Sequence, residues 1–328
     1  MERINRQNSE IYEAIGSALD SLSTEKTYEC LSQESVADLP MPSTDKLREI
    51  VRLCREVTFP GFFAKQPVRQ SSLRHYLGMC IEELGHKLNA EIYACLCQGL
   101  CQGLCREICQ GSQKYKDAIA HTSGPVVQQT LKLRAETFTA DFIRWLKDLR
   151  RLMKADVEAI QEGDPAAKSK TEIIMAYPAV RAISSYRIAH KLHELDIPLI
   201  PRVITEMAHS ETGIDINPEA VIGERFSIDH GTGVVIGATC VIGNNVKIYQ
   251  GVTLGAKCPT STDKTSGDYK TCQGRRHPQI EDNVVIYSQA TILGPVTIGH
   301  DSVIGGNVWI THDVEPNSRI AQREYTEE

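Results

Sequence analysis

The sequence lacks three features that would assign it to a membrane, a secretory route or nucleic acid. It has no run of about 18 apolar residues that could span a bilayer, and its start, MERINRQNSE, lacks the apolar segment of a signal peptide. The formal net charge is -6, whereas proteins that bind nucleic acid normally carry a basic excess. We therefore expect a soluble cytoplasmic protein without nucleic-acid or membrane partners.

The cysteines do not suggest a disulfide framework. There are 11 of them in 328 residues, an odd number in a large chain, so reduced thiols in a core are favoured. The segment CLCQGLCQGLCREIC spaces four cysteines four residues apart, at Cys97, Cys101, Cys105 and Cys109. Structural zinc sites prefer paired CxxC spacing, so a packed face of one helix is favoured over a metal site.

The most informative feature is a six-residue period in the second half of the chain. Neither a helix nor a strand has this period, but a coil that turns a corner every six residues does. Each unit would supply one short strand with one inward side chain, and stacked units would form a parallel β-helix. The series comprises Ile216, Ile222, Ile228, Val234, Cys240, Val246, Val252 and Cys258, then Ile280, Ile286, Ile292, Ile298, Ile304 and Ile310.

The apolar patterns divide the chain into four parts and predict an α+β fold. Residues 1–45 are polar, and the spacing of their apolar residues predicts one amphipathic helix. Residues 46–211 are predicted to form an all-helical domain. Residues 212–316 form the repeat domain, which is interrupted by an excursion loop at 257–279. Residues 317–328 are a short tail.

Two departures from the repeat carry chemistry. The run DHGTG places Asp229 and His230 at a coil corner, where an imidazole could act as a general base; the alternative is an ordinary surface histidine. The excursion loop concentrates cations in an acidic protein, which suits a ligand with phosphates. Its basic residues are Lys264, Lys270, Arg275, Arg276 and His277, against Asp263 and Asp268.

A zinc site is the competing interpretation of the histidines. His230, His300 and His312 each lie two residues past an inward position. Coils are separated by about 4.8 Å, and zinc–nitrogen bonds of about 2.0–2.1 Å cannot join these residues within one chain. A metal site shared between subunits stays open, but no sequence feature supports it.

The combination of EGDPAAKS, TGIDI, DHGTG and RRHP resembles the serine O-acetyltransferases, a family of hexapeptide-repeat acyltransferases. The resemblance extends roughly from Asp156 to Trp309. It implies a left-handed parallel β-helix after the helical domain. It also implies transfer of the acetyl group of acetyl-CoA to the hydroxyl of L-serine, which yields O-acetyl-L-serine and CoA on the route to cysteine.

The resemblance also implies roles for individual residues. His230 matches the general base, Asp215 of TGIDI the carboxylate that orients it, and His277 a second imidazole near the reacting centre. Asp164 and Asp229 match the carboxylates that hold the substrate ammonium. Arg276 matches the cation that pairs with the substrate carboxylate.

For acetyl-CoA, the family uses a groove between neighbouring coils of a trimer, and no metal is implied. The matching positions here are Gly255, Ala256, Lys257, Ser288 and Gly306.

The implied partners are L-serine, acetyl-CoA and L-cysteine as an inhibitor, within a homotrimer or a dimer of trimers. The family's complex with O-acetylserine sulfhydrylase uses a terminal isoleucine, where this sequence has Glu327 and Glu328. We therefore expect no stable complex with that enzyme.

Two other functions remain open on the sequence. An acetyl-CoA-dependent transferase for another hydroxyl acceptor would share the coil and His230, but it would not need Asp164, Asp229 and Arg276. A non-catalytic, cysteine-binding scaffold would not need His230.

Overall fold

The fold is that of a computed structural model, which describes residues 2–22, 40–64, 67–108, 124–257 and 274–322. Cys109, Cys258, most of the excursion loop and both terminal glutamates lie outside these residues. Within the described ranges, no helix has the length and apolarity needed to cross a membrane.

The first part of the structure is helical. Its helices are α1 (Glu2–Leu22), α2 (Thr44–Thr58), α3 (Leu73–Ile108), α4 (Pro125–Gly163), α5 (Lys170–Ala176), α6 (Pro178–Glu194) and α7 (Ile200–Thr212). A short 3₁₀ turn at Gln70–Ser72 precedes α3.

Local sequence explains where several of these helices start and stop. The Ser169 side chain accepts a hydrogen bond from the Glu172 amide at 3.1 Å, which caps the start of α5. Pro178 opens α6, where a missing amide hydrogen costs nothing. Helix α7 ends at Gly213, whose φ of 70° suits glycine.

The second part is a parallel β-solenoid, as the six-residue period predicts, with fourteen two- or three-residue strands among its described residues. The strands form three flat faces. Face 1 contains β1 (Asp215–Ile216), β4 (Val235–Ile236), β7 (Thr253–Gly255), β10 (Thr291–Leu293) and β13 (Trp309–Ile310). Face 2 contains β2 (Val221–Ile222), β5 (Val241–Ile242), β8 (Gln279–Ile280) and β11 (Thr297–Ile298). Face 3 contains β3 (Ser227–Asp229), β6 (Lys247–Tyr249), β9 (Val285–Ile286), β12 (Val303–Ile304) and β14 (Arg319–Ile320).

The predicted register is correct from Ile216 to Ile228 and again from Ile280 to Ile310, but it is wrong by two residues from Val234 to Val252. Ile216 pairs with Ile236, twenty residues later, whereas Ile236 pairs with Leu254, eighteen residues later. The first coil therefore contains two extra residues, in the segment between β3 and β4. Beyond it, the predicted positions Val234, Cys240, Val246 and Val252 lie at the corners, two residues before the inward strand residues Ile236, Ile242, Ile248 and Leu254. Both sets are buried.

Helices α4 and α6 dock on the first coil through buried polar contacts. Arg187 of α6 forms a two-pronged ion pair with Asp156 of α4, at 2.6 and 2.8 Å, and donates to the Gly223 carbonyl. Asp156 also accepts from the Phe226 amide at 3.0 Å. The Tyr186 hydroxyl donates to the Ala220 carbonyl. One hydrophobic cluster continues from the helices into the coil, so the two parts share a core at this junction.

The cysteine-rich segment is helical within α3, and Cys97 is buried, 2% exposed. Cys54, Cys80, Cys95, Cys97 and Cys240 are all free and buried. Burial raises the pKa of the Cys54, Cys95 and Cys240 thiols to about 12. These five thiols therefore act as small apolar groups.

Candidate active site

The two extra residues of the first coil create the corner that carries His230. This corner, called the His230 corner, joins β3 of face 3 to β4 of face 1. His230 has a φ of 56° and Gly231 a φ of 98°. A Cβ on Gly231 would lie 2.5 Å from Cδ1 of Ile214, so glycine is required there. The His230 side chain is 75% exposed and open to a ligand.

Asp229 lies beside His230 and has two different neighbours. Its Oδ1 is 3.7 Å from Nε2 of His230, and its Oδ2 is 3.2 Å from Nζ of Lys247. The Asp229 side chain is 18% exposed, so most of it is shielded from water.

Asp164 reaches the same corner from the helical part of the chain. It follows the last residue of α4, and its carboxylate accepts from the Tyr177 hydroxyl at 2.6 Å and from the Ala166 amide at 2.8 Å. These two bonds hold the pKa of Asp164 below its ordinary value, and the nearby Lys247 and His230 act in the same direction. Asp164 in turn raises the pKa of Tyr177 to about 12. The structure thus brings Asp164, Asp229 and His230 together.

Asp215 lies near the same corner but does not touch the imidazole. It begins β1 and pairs with Val235, the first residue after the corner. Within the described residues, no hydrogen bond or ion pair joins Asp215 to His230. Its orienting role stays a prediction.

Arg276 and His277 lie at a different corner, called the His277 corner, which joins face 1 to face 2. The His277 ring packs on Gly237, where a Cβ would be 2.0 Å from ring atoms, so a side chain at 237 would displace the imidazole. The Thr239 hydroxyl oxygen accepts from the amides of Arg276, at 2.8 Å, and His277, at 3.1 Å. Thr239 therefore holds the end of the excursion loop on the coil.

The same threonine also decides which nitrogen of His277 carries the proton. Nδ1 accepts from the Thr239 amide at 3.2 Å and lies 2.8 Å from its hydroxyl oxygen. A neutral ring with an accepting Nδ1 carries its hydrogen on Nε2. Burial, and then the Arg276 cation, lower the pKa of His277, so the ring is neutral at neutral pH. It can donate a hydrogen bond from Nε2.

The residues predicted to contact acetyl-CoA lie on higher coils, above the same two corners. Ser288 follows β9 and Gly306 follows β12, so they lie two and three coils above the His230 corner, between the same two faces. They stack on each other, since a Cβ on Gly306 would lie 3.1 Å from the Ser288 carbonyl oxygen. Gly255 ends β7 at the other end of face 1, and Ala256 and Lys257 follow it. They come directly after Leu254, whose carbonyl accepts from the Gly237 amide at 3.1 Å. They therefore lie one coil above the His277 corner.

The three histidines of the zinc interpretation lie at three different corners. His230 follows β3 on face 3, His300 follows β11 on face 2 and His312 follows β13 on face 1. Among the described residues, no group of three or more histidines, cysteines and acids is arranged to hold a metal ion.

Sequence reasoning missed Lys247, Tyr177 and Thr239. Lys247 contacts Asp229, and Thr239 contacts His277 from far away in the sequence. Tyr177 contacts Asp164, which is only thirteen positions before it. Tyr177 begins the stretch YPAVRAISS, whose proximity to the EGDPAAKS motif could have indicated a contact with Asp164. No motif marked the lysine or the threonine.

Comparison with known proteins places the chain in a family. Residues 277–312 match the bacterial transferase hexapeptide model (six repeats), and residues 214–250 and 233–259 match the hexapeptide repeat of succinyl-transferase. A protein of Synechococcus elongatus described as "Serine acetyltransferase, plasmid" is 40% identical over 310 residues, which are 94% of this chain and 90% of that protein. The chain belongs to the serine acetyltransferase family.

Further relatives agree with this assignment. The serine acetyltransferase of Bacillus subtilis is 43% identical over 170 residues, or 52% of this chain and 73% of the relative. The crystal structure of Entamoeba histolytica serine acetyltransferase 1 in complex with L-cysteine has a TM-score of 0.66 and 30% identity. That match covers 86% of this chain and 88% of the other. The predicted fold class and family are confirmed.

Proposed function

We propose that this protein transfers the acetyl group of acetyl-CoA to the hydroxyl of L-serine, in the cytoplasm and in the service of cysteine biosynthesis. The observation that carries the proposal is the convergence of Asp164, from the helices, and Asp229, from the coil, beside the exposed imidazole of His230. Two carboxylates next to one base suit an acceptor that has an ammonium group near its hydroxyl.

In the proposed reaction, Asp164 and Asp229 bind the substrate ammonium and Arg276 binds its carboxylate. His230 takes the hydroxyl proton as the serine oxygen attacks the thioester carbonyl, and Asp215 orients the imidazole. The tetrahedral intermediate then collapses and the carbon–sulfur bond breaks. His230 returns the proton to the leaving thiolate of CoA. Nε2–H of His277 donates toward the oxygen that becomes negative.

The proposed site needs two copies of the chain. His230 lies before β4, whereas Gly237 lies after β4 and packs against His277. The two corners are therefore at opposite ends of face 1. With a strand rise of about 3.3 Å per residue, one serine molecule cannot contact both corners of the same chain. We propose a homotrimer in which the His230 corner of one chain meets the His277 corner of the next, and pairing of trimers through the helices.

The same arrangement would assemble the acetyl-CoA groove. Ser288 and Gly306 from one chain would face Gly255, Ala256 and Lys257 of its neighbour. The small side chains allow the pantetheine arm to approach the backbone, and the exposed Lys257 can contact phosphates. L-Cysteine, which has the same ammonium and carboxylate as serine, should compete for the same site.

The experiment is an acceptor panel with thiol release from acetyl-CoA as the readout. L-Serine should give the highest kcat/KM, with O-acetyl-L-serine identified by mass spectrometry. D-serine, L-homoserine and a hydroxyl compound without an ammonium group serve as matched acceptors. A better rate with the acceptor that lacks an ammonium group would favour the alternative transferase. No thiol release with any acceptor, together with L-cysteine binding, would favour the scaffold.

A further inference from the structure

Lys247 lies between the two elements that supply the substrate carboxylates. It belongs to β6, one coil above β3, and pairs with Ser227 in the strand register. Its Nζ is 3.2 Å from Oδ2 of Asp229 and donates to the Gly163 carbonyl at 2.5 Å. Gly163 ends α4 and directly precedes Asp164. One ammonium group therefore joins the coil to the end of the helix that presents Asp164.

The environment of Lys247 keeps it charged and in place. Its side chain is 15% exposed, and Nζ lies 4.5 Å from the centroid of the Tyr249 ring. Burial would lower the pKa of Lys247, but the contacts with Tyr249 and Asp229 raise it above its ordinary value. The chain also leaves room for the lysine, since a Cβ on Gly163 would lie 3.4 Å from Cδ and Nζ of Lys247.

The contact uses only part of the Asp229 carboxylate. Lys247 forms an ion pair with Oδ2, whereas Oδ1 lies 3.7 Å from Nε2 of His230. That distance is too long for a hydrogen bond. Oδ1 thus stays available on the side of the general base. Two carboxylates and one fixed lysine leave one net negative charge, which matches a single substrate ammonium.

We propose that Lys247 is a positioning residue of the acceptor site: it holds Asp229 and the Gly163–Asp164 turn so that both carboxylates face the ammonium of the acceptor. This inference rests on the proposed function, because it concerns the same site. An ion pair that merely fastened the helices to the coil would stabilise the fold without affecting any one substrate. A positioning residue affects the binding of the acceptor selectively.

The test compares Lys247→Met with Lys247→Arg in steady-state kinetics. The methionine variant keeps the aliphatic stem and loses the charge, so the KM for L-serine should rise at least about tenfold, since a charge-assisted contact is lost. The kcat should change less than KM, and the KM for acetyl-CoA should stay within about twofold. Arginine keeps the positive charge and should restore part of the serine affinity.

Lys87→Met is the matched control. Lys87 forms an ion pair with Glu49 at 2.6 Å that joins α3 to α2 within the helical domain, so this variant should have wild-type constants. Calorimetric binding of L-serine and L-cysteine without acetyl-CoA gives a second readout. Both ligands should bind the Lys247→Met variant at least about tenfold more weakly, and in the same proportion.

An unchanged serine KM in Lys247→Met would overturn the proposal. So would equal losses for serine and acetyl-CoA accompanied by a lower melting temperature, because that pattern indicates a structural role alone. A wild-type protein that does not acetylate serine would refute the proposed function instead. The two failures are therefore distinguishable.

Discussion

His230 takes a left-handed backbone conformation that other corners of the coil share. Asn245, Asn283 and Asn307 have φ values of 56°, 60° and 57° at other corners, each three residues before an inward strand residue. Asparagine tolerates this conformation better than most residues, which explains its recurrence. His230 has a similar φ but lies in the longer corner, where Gly233 (φ 80°) occupies the position three residues before Ile236. Asparagine can therefore adopt the His230 backbone conformation without strain.

This comparison defines a clean substitution, His230→Asn. Asparagine retains the corner and removes the base, so kcat should fall by about 10²–10⁴. The melting temperature and the serine KM should change little. His300→Asn, at an exposed corner of another face, serves as the control and should be fully active. A His230→Asn enzyme with half the wild-type turnover would remove His230 from the mechanism.

Arg276 should control the titration of His277. Burial and the neighbouring guanidinium both disfavour the imidazolium, so Arg276→Gln should raise the pKa of His277 while burial still holds it below the ordinary value. NMR of histidine-labelled protein measures this directly. Arg275→Gln is the matched control, since Arg275 bonds to Gln279 and the Pro295 carbonyl instead. Equal shifts in both variants would contradict the assignment.

The lowered pKa of His277 also makes the free energy of unfolding depend on pH. The unfolded chain binds the His277 proton more readily than the folded chain. The contribution of His277 is therefore fully present above the unfolded pKa, and it is lost as pH falls through that value and the lower folded one.

The junction of α4 and α6 with the first coil depends on a buried ion pair between Arg187 and Asp156. Their side chains are 4% and 0% exposed. In Arg187→Met, the Asp156 carboxylate would stay buried without its cation, so the free energy of unfolding should fall by about 3–5 kcal/mol. Urea denaturation measures the change.

Arg151→Met provides the comparison at the same junction. Arg151 pairs with Glu224 at 2.6 Å, but the two side chains are 55% and 47% exposed. Water already screens this pair, so its loss should cost at most about 1 kcal/mol. Similar losses in both variants would mean that burial does not govern the energetics of the junction.

The six-residue period predicted the solenoid but could not reveal the shift of register at His230. After the shift, both the strand positions, such as Ile236 and Ile242, and the corner positions, such as Val234 and Cys240, are apolar and buried. Each set repeats every six residues. A periodic series can therefore pass from one set to the other without any visible break.

The placement of Asp229 and His230 at one corner was predictable, because the DHGTG motif that contains both is local. Lys247 was not, because its partner Gly163 is 84 positions away and meets it only once the helices dock. Thr239 contacts His277 across 38 positions, so its role depends on where the excursion loop rejoins the coil.

At the scale of the whole molecule, the division of the site between two corners predicts complementation. His230→Asn chains and His277→Asn chains should each be nearly inactive alone. Mixed at random in equal amounts and refolded or co-expressed, they should recover about a quarter of wild-type activity, because one interface in four pairs two intact corners. Light scattering should show trimers or hexamers. A mixture as inactive as its components would place the whole site within one chain.

The two ends of face 1 also determine how a defect would be inherited. In the proposed trimer, each chain serves two sites, one with each neighbour. A chain that has lost both histidines disables two of the three sites in a trimer with two normal chains. Where half of the chains are defective, about a quarter of the sites survive rather than half. Such an allele would be partially dominant, although the normal copy is still made in full.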